Sequence, residues 1–491
     1  MNLVAETIYG RVEGREKDGA LLFAGIPYAA PPIGSLRFRA TAPHSGWTEV
    51  RDARKFGPAA PQMPTGILSD PVATRWDEDC LFLNIATPAL DNHARPVLVW
   101  IHGGAYRTGQ GGVPWYNGAR FAAHGDIVVV SINYRLGALG FTDLSRFGPE
   151  FAASGVNGIV DQITALEWVR DNIANFGGDP MRVTIAGESA GGFSVTTLLS
   201  SPRAAGLFHR AIPQSGAGHH ALPPTAGAEV ADTFLRELDA DNAMHVEAAS
   251  AEDVLAAQTR TIQAIEADRA AGSKNALGAY VQPFYPVHGN DVVPDLPIDS
   301  IRNGTGSDVA LLIGSNLDEA TLWAHTGLAQ SVEGIAEHYG DAKLAEVYRD
   351  SRPDATDQDL KVAISTDHMF GIPAIRVAEA RAQEAANTWV YRFDWKSRAF
   401  EGRLGATHSL EIPFAFDNLD KPGVELFIGP GPLPQTVADT MHAAWTAFIR
   451  EGEPGWQPYD LQTRTAMIFD DQSQTQDDPA SNEREAWDGL R

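Results

Sequence analysis

Between Arg95 and about Ser215 the sequence alternates short, β-branched apolar runs with a helical pattern, and no other feature constrains the fold as tightly. Pro96-Val97-Leu98-Val99-Trp100-Ile101 and Asp126-Ile127-Val128-Val129-Val130-Ser131-Ile132 are apolar segments of the kind that form strands buried on both faces. From Asp161 to Ile173 the apolar residues Ile163, Leu166, Val169 and Ile173 recur at helical spacing, and Phe176-Gly177-Gly178-Asp179-Pro180 stops that helix. Val183-Thr184-Ile185-Ala186 is the next buried strand. Strand, helix and strand at this spacing make a crossover unit, which predicts an α/β protein with a largely parallel sheet.

Past about Leu222 the character changes. Residues 227–270 and 329–385 are rich in Ala, Glu, Asp and Arg with helical periodicity, and are read as helical insertions that cap one edge of the sheet. Their approximate bounds are 222–300 and 326–385. Asp308 to Gly314 and Thr388 to Phe393 return to the sheet, and Val437 to Glu451 is a helix with Met441, Trp445 and Phe448 on one face, stopped at Gly452. With no internal repeat and no long Gly/Ser linker, residues 1–491 are expected to form one continuous domain.

A hydrophobic fraction of 44% and a charged fraction of 21% suit a globular core and exclude a disordered chain. The net charge of −25 argues against nucleic acid, which is gripped by clustered Lys and Arg, and against anionic membrane surfaces. Cys80 is the single cysteine, so neither an intramolecular disulfide nor a multi-cysteine zinc site can form. No metal or cofactor is expected. The N-terminal residues lack a basic stretch followed by an apolar one, and the longest apolar runs are far too short to span a bilayer. A soluble, cytoplasmic monomer or small homo-oligomer acting on a small molecule is predicted.

Gly187-Glu188-Ser189-Ala190-Gly191 directly follows the strand Val183–Ala186 and opens a segment, Phe193 to Leu199, that can be a helix. A serine on such a strand-to-helix turn projects above the sheet, and the helix start offers amides to developing negative charge. The same five residues could also be an ordinary glycine-rich turn. A serine hydroxyl needs a base, and the base needs an orienting carboxylate. In hydrolases built on this sheet the chain order is Ser, acid, His. Spacing alone does not choose among His209, His219, His220, His288, His368 and His408. The order favours His408, in Gly405-Ala406-Thr407-His408-Ser409, and Glu319 follows the strand Val309–Ile313, with Asp318 as its neighbouring competitor. His102-Gly103-Gly104-Ala105 follows the strand Val97–Ile101 and is similar to loops whose amides hold an oxyanion.

These segments together resemble the type-B carboxylesterase family, which includes bacterial para-nitrobenzyl esterases, liver carboxylesterases and cholinesterases. Phe176-Gly177-Gly178 through Gly187-Glu188-Ser189-Ala190-Gly191-Gly192 matches the family's nucleophile signature, and Glu78-Asp79-Cys80-Leu81-Phe82-Leu83-Asn84 its second signature. Phe23 to Ala29, Pro31-Pro32-Ile33-Gly34, Asn133 to Gly137, Gln214-Ser215-Gly216 and His408 to Phe414 also fit, so the likeness runs from about residue 8 to 457. The resemblance implies an α/β-hydrolase fold and a triad of Ser189, Glu319 and His408, with oxyanion amides at Gly104, Ala105 and Ala190. Ala105 stands where cholinesterases carry glycine, and costs nothing if its φ is negative. Glu188, Ser215 and Glu411 are expected around the triad, and Arg37 with Glu78 and Arg135 with Asp179 as structural ion pairs. In eukaryotic relatives the equivalent of Cys80 closes a disulfide loop. Without a partner cysteine here, the segment from Pro61 to Trp76 is expected to be a freer flap, and Cys80 a buried small residue.

The activity implied is metal-free hydrolysis of short to medium acyl or aryl esters through an acyl-enzyme. Tyr106, Leu222, Trp323 and Phe370 are the expected pocket residues, although any of them can equally be core. Activity should fall as pH drops through about 6–7, where an unperturbed imidazole takes up its proton. A carbamate or aryl-amide hydrolase uses the same triad. An interfacial lipase would need a large apolar lid, and a non-catalytic binding module would lack the nucleophile.

Overall fold

A computed structural model of the protein describes residues 3–64, 75–270, 282–324, 330–383 and 387–491. Residues 65–74, the centre of the expected flap, lie outside the described residues, as do parts of both expected insertions.

The apolar runs read above become the middle of an eleven-stranded sheet. In chain order its strands are β1 (Arg15–Lys17), β2 (Ala20–Pro27), β3 (Phe82–Thr87), β4 (Arg95–Ile101), β5 (Val128–Ile132), β6 (Gly178–Glu188), β7 (Arg210–Gln214), β8 (Ala310–Asn316), β9 (Thr388–Phe393), β10 (Thr465–Phe469) and β11 (Gln474–Asp477). Across the sheet they lie in the order β1-β2-β3-β5-β4-β6-β7-β8-β9-β10-β11. Every neighbouring pair from β5 across to β10 is parallel, while β1, β2 and β3 on one edge and β11 on the other pair antiparallel. A small separate sheet joins Val4–Thr7, Gly10–Glu13 and Arg51–Asp52.

Strand alternation explains why continuous apolar runs were required. Val97, Val99 and Ile101 of β4 enter the core on one face of the sheet, and Leu98 and Trp100 enter the core on the other. Leu311 and Ile313 against Leu312 repeat the pattern in β8. The helix Asn157–Asn172 covers the first face through Ile159, Ile163, Leu166 and Val169. The helix Gln435–Glu451 covers the second with Val437, Met441, Trp445 and Phe448, and ends at Gly452 in a left-handed conformation, φ +88. Each such buried side chain is worth about 1.5–3 kcal/mol against exposure. The strand expected from Asp126 begins only at Val128, because Asp126 (φ +52) is the left-handed cap of the helix Ala119–Gly125.

Beyond β7 the chain is largely helical, with Pro224–Leu238, Ala243–Ala248 and Ala251–Ala270 before β8 and four helices from Val332 to Ala382 after it. These last pack around their own apolar cluster of Val332, Ile335, Tyr348, Ile364 and Trp487.

Register then determines what meets at the sheet's edge. Ile101 is paired with Gly187, Glu188 with Gln214, and Gln214 with Gly314. The loops that follow β4, β6, β7 and β8 therefore leave the sheet side by side.

Candidate active site

Ser189 sits between the last residue of β6 and the helix Ala190–Ser200, at φ 57 and ψ −121. For a residue with a Cβ this is a strained backbone, held by the Ser189 N–H donating to Gln214 O at 3.0 Å and Ser189 O accepting from Phe193 N–H at 2.8 Å. The turn also needs its glycines: a Cβ on Gly191 would fall 2.0 Å from Ile101 O. Ser189 is only half-buried, whereas Glu188 and Ala190 beside it are buried.

The loops after β8 and β9 bring in the other two residues. Glu319 Oε2 accepts from His408 Nδ1 at 2.5 Å, and Glu319 Oε1 accepts the backbone N–H of Asn316 at 2.7 Å. Asp318 is engaged elsewhere: its Oδ2 accepts the backbone N–H of Ala406 at 3.0 Å. The opposite ring nitrogen, His408 Nε2, lies 3.0 Å from Glu188 Oε1, which also accepts from Ser409 Oγ at 2.7 Å.

Glu411 completes a group of three buried carboxylates around the imidazole. Its oxygens accept from Gln214 Nε2 at 3.1 Å and Asn316 Nδ2 at 2.7 Å. Gln214 is braced in turn by Trp445 Nε1 at 3.0 Å. Burial pushes Glu411 up to about 8, helped by Glu188 and Glu319 and opposed by the Asn316 amide. Burial likewise raises Glu188. Burial alone would lower His408, but the charges of Glu188 and Glu319 and the Glu319 hydrogen bond outweigh it and hold the imidazole at about 9.

The loop after β4 reaches the same place. A Cβ on Gly103 would stand 2.6 Å from Glu188 O and 3.1 Å from the Cβ of Ser189, so the loop can approach the elbow only as glycine. Gly104 has φ +106, and Ala105 and Tyr106 follow at +53 and +58. The condition under which Ala105 costs nothing, a negative φ, is therefore not met, and the left-handed turn costs about 1 kcal/mol of backbone strain. Ala190 is the first residue of its helix, so its N–H has no partner within the helix. His102 is buried, held low at about 4 by that burial, and stacks on Tyr134.

Among the remaining expected residues, Trp323 and Phe370 both pack on His408, with ring centroids 4.9 and 4.8 Å from the imidazole and 6.2 Å from each other. Trp323 is 41% exposed. Tyr106 and Leu222 are fully buried in the core, Tyr106 against Phe141 and Tyr285. Ser215 lies beside β8 through its N–H to Gly314 O at 2.9 Å, its hydroxyl buried and without a partner among the described residues. His220 stacks on Phe193 and His368 on Tyr339.

Two ion pairs were expected. Arg37 and Glu78 do pair, with Arg37 Nε donating to Glu78 Oε2 at 2.7 Å. Arg135 does not meet Asp179; it pairs with Asp161, Nε to Oδ2 and Nη2 to Oδ1 both at 2.8 Å. Arg135 follows the end of β5, whereas Asp179 lies at the start of β6, and in a parallel sheet these are opposite edges. Cys80 is buried as a free thiol, pushed well up by that burial. Sequence reasoning missed Asn316 and Gln214, which hold the carboxylates, although Gln214 lies inside a motif it quoted. Among the described residues no group of His, Cys, Asp and Glu is arranged to hold a metal ion, and no helix is long and apolar enough to cross a membrane.

A sequence model of the carboxylesterase family matches residues 2–487. The chain belongs to the carboxylesterase family. Bacillus subtilis para-nitrobenzyl esterase is 35% identical over 98% of this chain and 98% of its own. A Pseudarthrobacter oxydans phenmedipham hydrolase is 39% identical over 92% and 90%. The crystal structure of a Geobacillus stearothermophilus carboxylesterase superposes with a TM-score of 0.87 at 37% identity, covering 99% of this chain and all of the other. This member of the family is a carboxylic ester hydrolase with the α/β-hydrolase fold.

Proposed function

We propose that this carboxylesterase hydrolyses short to medium acyl or aryl esters through an acyl-enzyme on Ser189. The observation that carries the reading is the Glu319–His408 pair at 2.5 Å, whose imidazole also meets Glu188, the residue before a serine held at φ 57 on a strand-to-helix turn. His408 Nε2 exchanges Glu188 Oε1 for Ser189 Oγ and takes its proton as the serine attacks the carbonyl. Glu319 fixes the tautomer and stabilises the imidazolium. The amides of Gly104, Ala105 and Ala190 receive the oxyanion, aided by the helix start at Ala190. His408 then protonates the leaving alcohol, and water releases the acid by the same route. Trp323 and Phe370, stacked on each other beside the imidazole, form an aromatic wall for the acyl or aryl group. The helices in 224–270 and 332–382 act as a cap over this edge of the sheet.

Hydrolysis of p-nitrophenyl esters from acetyl to palmitoyl, beside the Ser189→Ala variant, tests the reading. Turnover of the shorter esters, lost in the variant, is expected; a folded wild type inert on all of them would refute it. The likeness to a phenmedipham hydrolase favours one second reading, a carbamate or aryl-amide hydrolase with the same triad. Phenmedipham and simple anilides are the probes that separate the two.

A further inference from the structure

We propose that Arg107 is a specificity-determining residue that recognises a carboxylate on the substrate, so that the enzyme favours half-esters of dicarboxylic acids over their neutral diesters. The inference rests on the ester-hydrolase reading and names a substrate class for it.

Arg107 follows the left-handed pair Ala105 and Tyr106. Its backbone N–H donates to Gly104 O at 2.9 Å, as does that of Thr108 at 3.0 Å. The far end of the loop is pinned where Gln62 both donates to Gly109 O and accepts from Gly109 N–H, each at 2.9 Å. The turn that presents the Gly104 and Ala105 amides therefore also sets the position of Arg107. Tyr106 goes into the core, while Arg107 stays half-buried at the surface of the loop.

Most arginines in the interior of this chain have a carboxylate partner, such as Arg135 with Asp161 or Arg352 with Glu483. Arg107 has no side-chain hydrogen bond or ion pair with any described residue. A half-buried guanidinium with no anion among the described residues is open to a carboxylate, which bound substrate would supply. The loop itself places it by the site: Arg107 lies two residues after Ala105, in the loop whose Gly103 abuts Glu188 and Ser189. Its charge acts on the buried phenol of Tyr285, whose ring lies 6.1 Å from that of Phe193. Phe193 is parallel to Phe370 at 6.2 Å, and Phe370 packs on His408. In a protein of net charge −25, with three buried glutamates under the imidazole, a substrate carboxylate needs such a local cation. A guanidinium binds it through a planar fork.

The test compares monomethyl glutarate with dimethyl glutarate by pH-stat at pH 7.5, with p-nitrophenyl butyrate as the reference ester. Arg107→Gln is expected to lower the ratio of kcat/KM for the half-ester over the diester by about ten- to a hundredfold. Arg107→Lys should keep part of the preference, and added salt should narrow it in the wild type. A merely structural Arg107 would lower both substrates in proportion. An unchanged ratio in Arg107→Gln, with p-nitrophenyl butyrate still hydrolysed, overturns the inference and leaves the esterase reading intact. A folded wild type inert on all three esters overturns both.

Discussion

His408 uses both ring nitrogens on carboxylates: Nδ1 lies 2.5 Å from Glu319 and Nε2 lies 3.0 Å from Glu188, the residue just before Ser189. An imidazole between two glutamates, with Glu411 close by, is biased towards its protonated form. Catalysis needs the neutral form, because only that can accept the serine proton.

The pH profile follows from that bias. The expectation of an acid limb at about 6–7 treated the histidine as unperturbed. With His408 held at about 9, the base form of the free enzyme accumulates only as pH rises well past neutral. The kcat/KM of a neutral ester should therefore still be climbing above pH 7. Glu188→Gln removes a charge that favours the imidazolium, so its acid limb should lie about one pH unit lower. A limb that stays in place, or moves up, would show that Glu188 does not act on the base.

Removing the nucleophile is the bluntest test. Ser189→Ala should lower kcat by about 10⁴–10⁶-fold, because triad members act as a unit. It should not unfold the protein, since alanine can keep the backbone bonds to Gln214 and Phe193. Ester hydrolysis and circular dichroism on the same sample check both halves.

The neighbouring acids make a sharper comparison. Glu319→Gln keeps the size but presents an amide to His408 Nδ1 and Asn316, and should lower kcat by about 10³–10⁴-fold. Asp318→Asn retains an oxygen that can accept from Ala406 N–H, and should change kcat by less than about threefold. Similar losses in the two variants would remove the distinction between the acids.

What was legible in the sequence is what periodicity and turn chemistry encode locally. Thr388–Phe393 could be read residue for residue, because a β-branched and aromatic run has one burial pattern. The elbow was legible because a buried strand, two glycines and a helix signal coincide at Ser189. Residue patterns alone left Glu319 and Asp318 open, since both follow β8 and only the path of the loop decides which one faces the histidine. Family resemblance favoured Glu319. The handedness of Ala105 was beyond reach for a related reason: it belongs to a loop whose Gly103 packs against Glu188 and Ser189, which are distant in sequence. Arg107 carried no signal, because an arginine beside a glycine loop reads as a solvated charge until its neighbours are placed.

The Arg135 pair shows how a topological error becomes a measurable one. Asp161 is fully buried and receives the Arg135 backbone N–H at 3.0 Å, both arms of its guanidinium, and Thr41 Oγ1 at 2.5 Å. Asp161→Ala would leave a buried guanidinium without its counter-charge, at about 3–5 kcal/mol. Asp179 is only partly buried and, among the described residues, accepts just the nearby Met181 N–H at 2.9 Å, so Asp179→Ala should cost within about 1 kcal/mol. Urea unfolding of the two variants separates them by the shift in midpoint. A larger loss at Asp179 would mean that Arg135 is held across the sheet after all, against the parallel register of β4, β5 and β6.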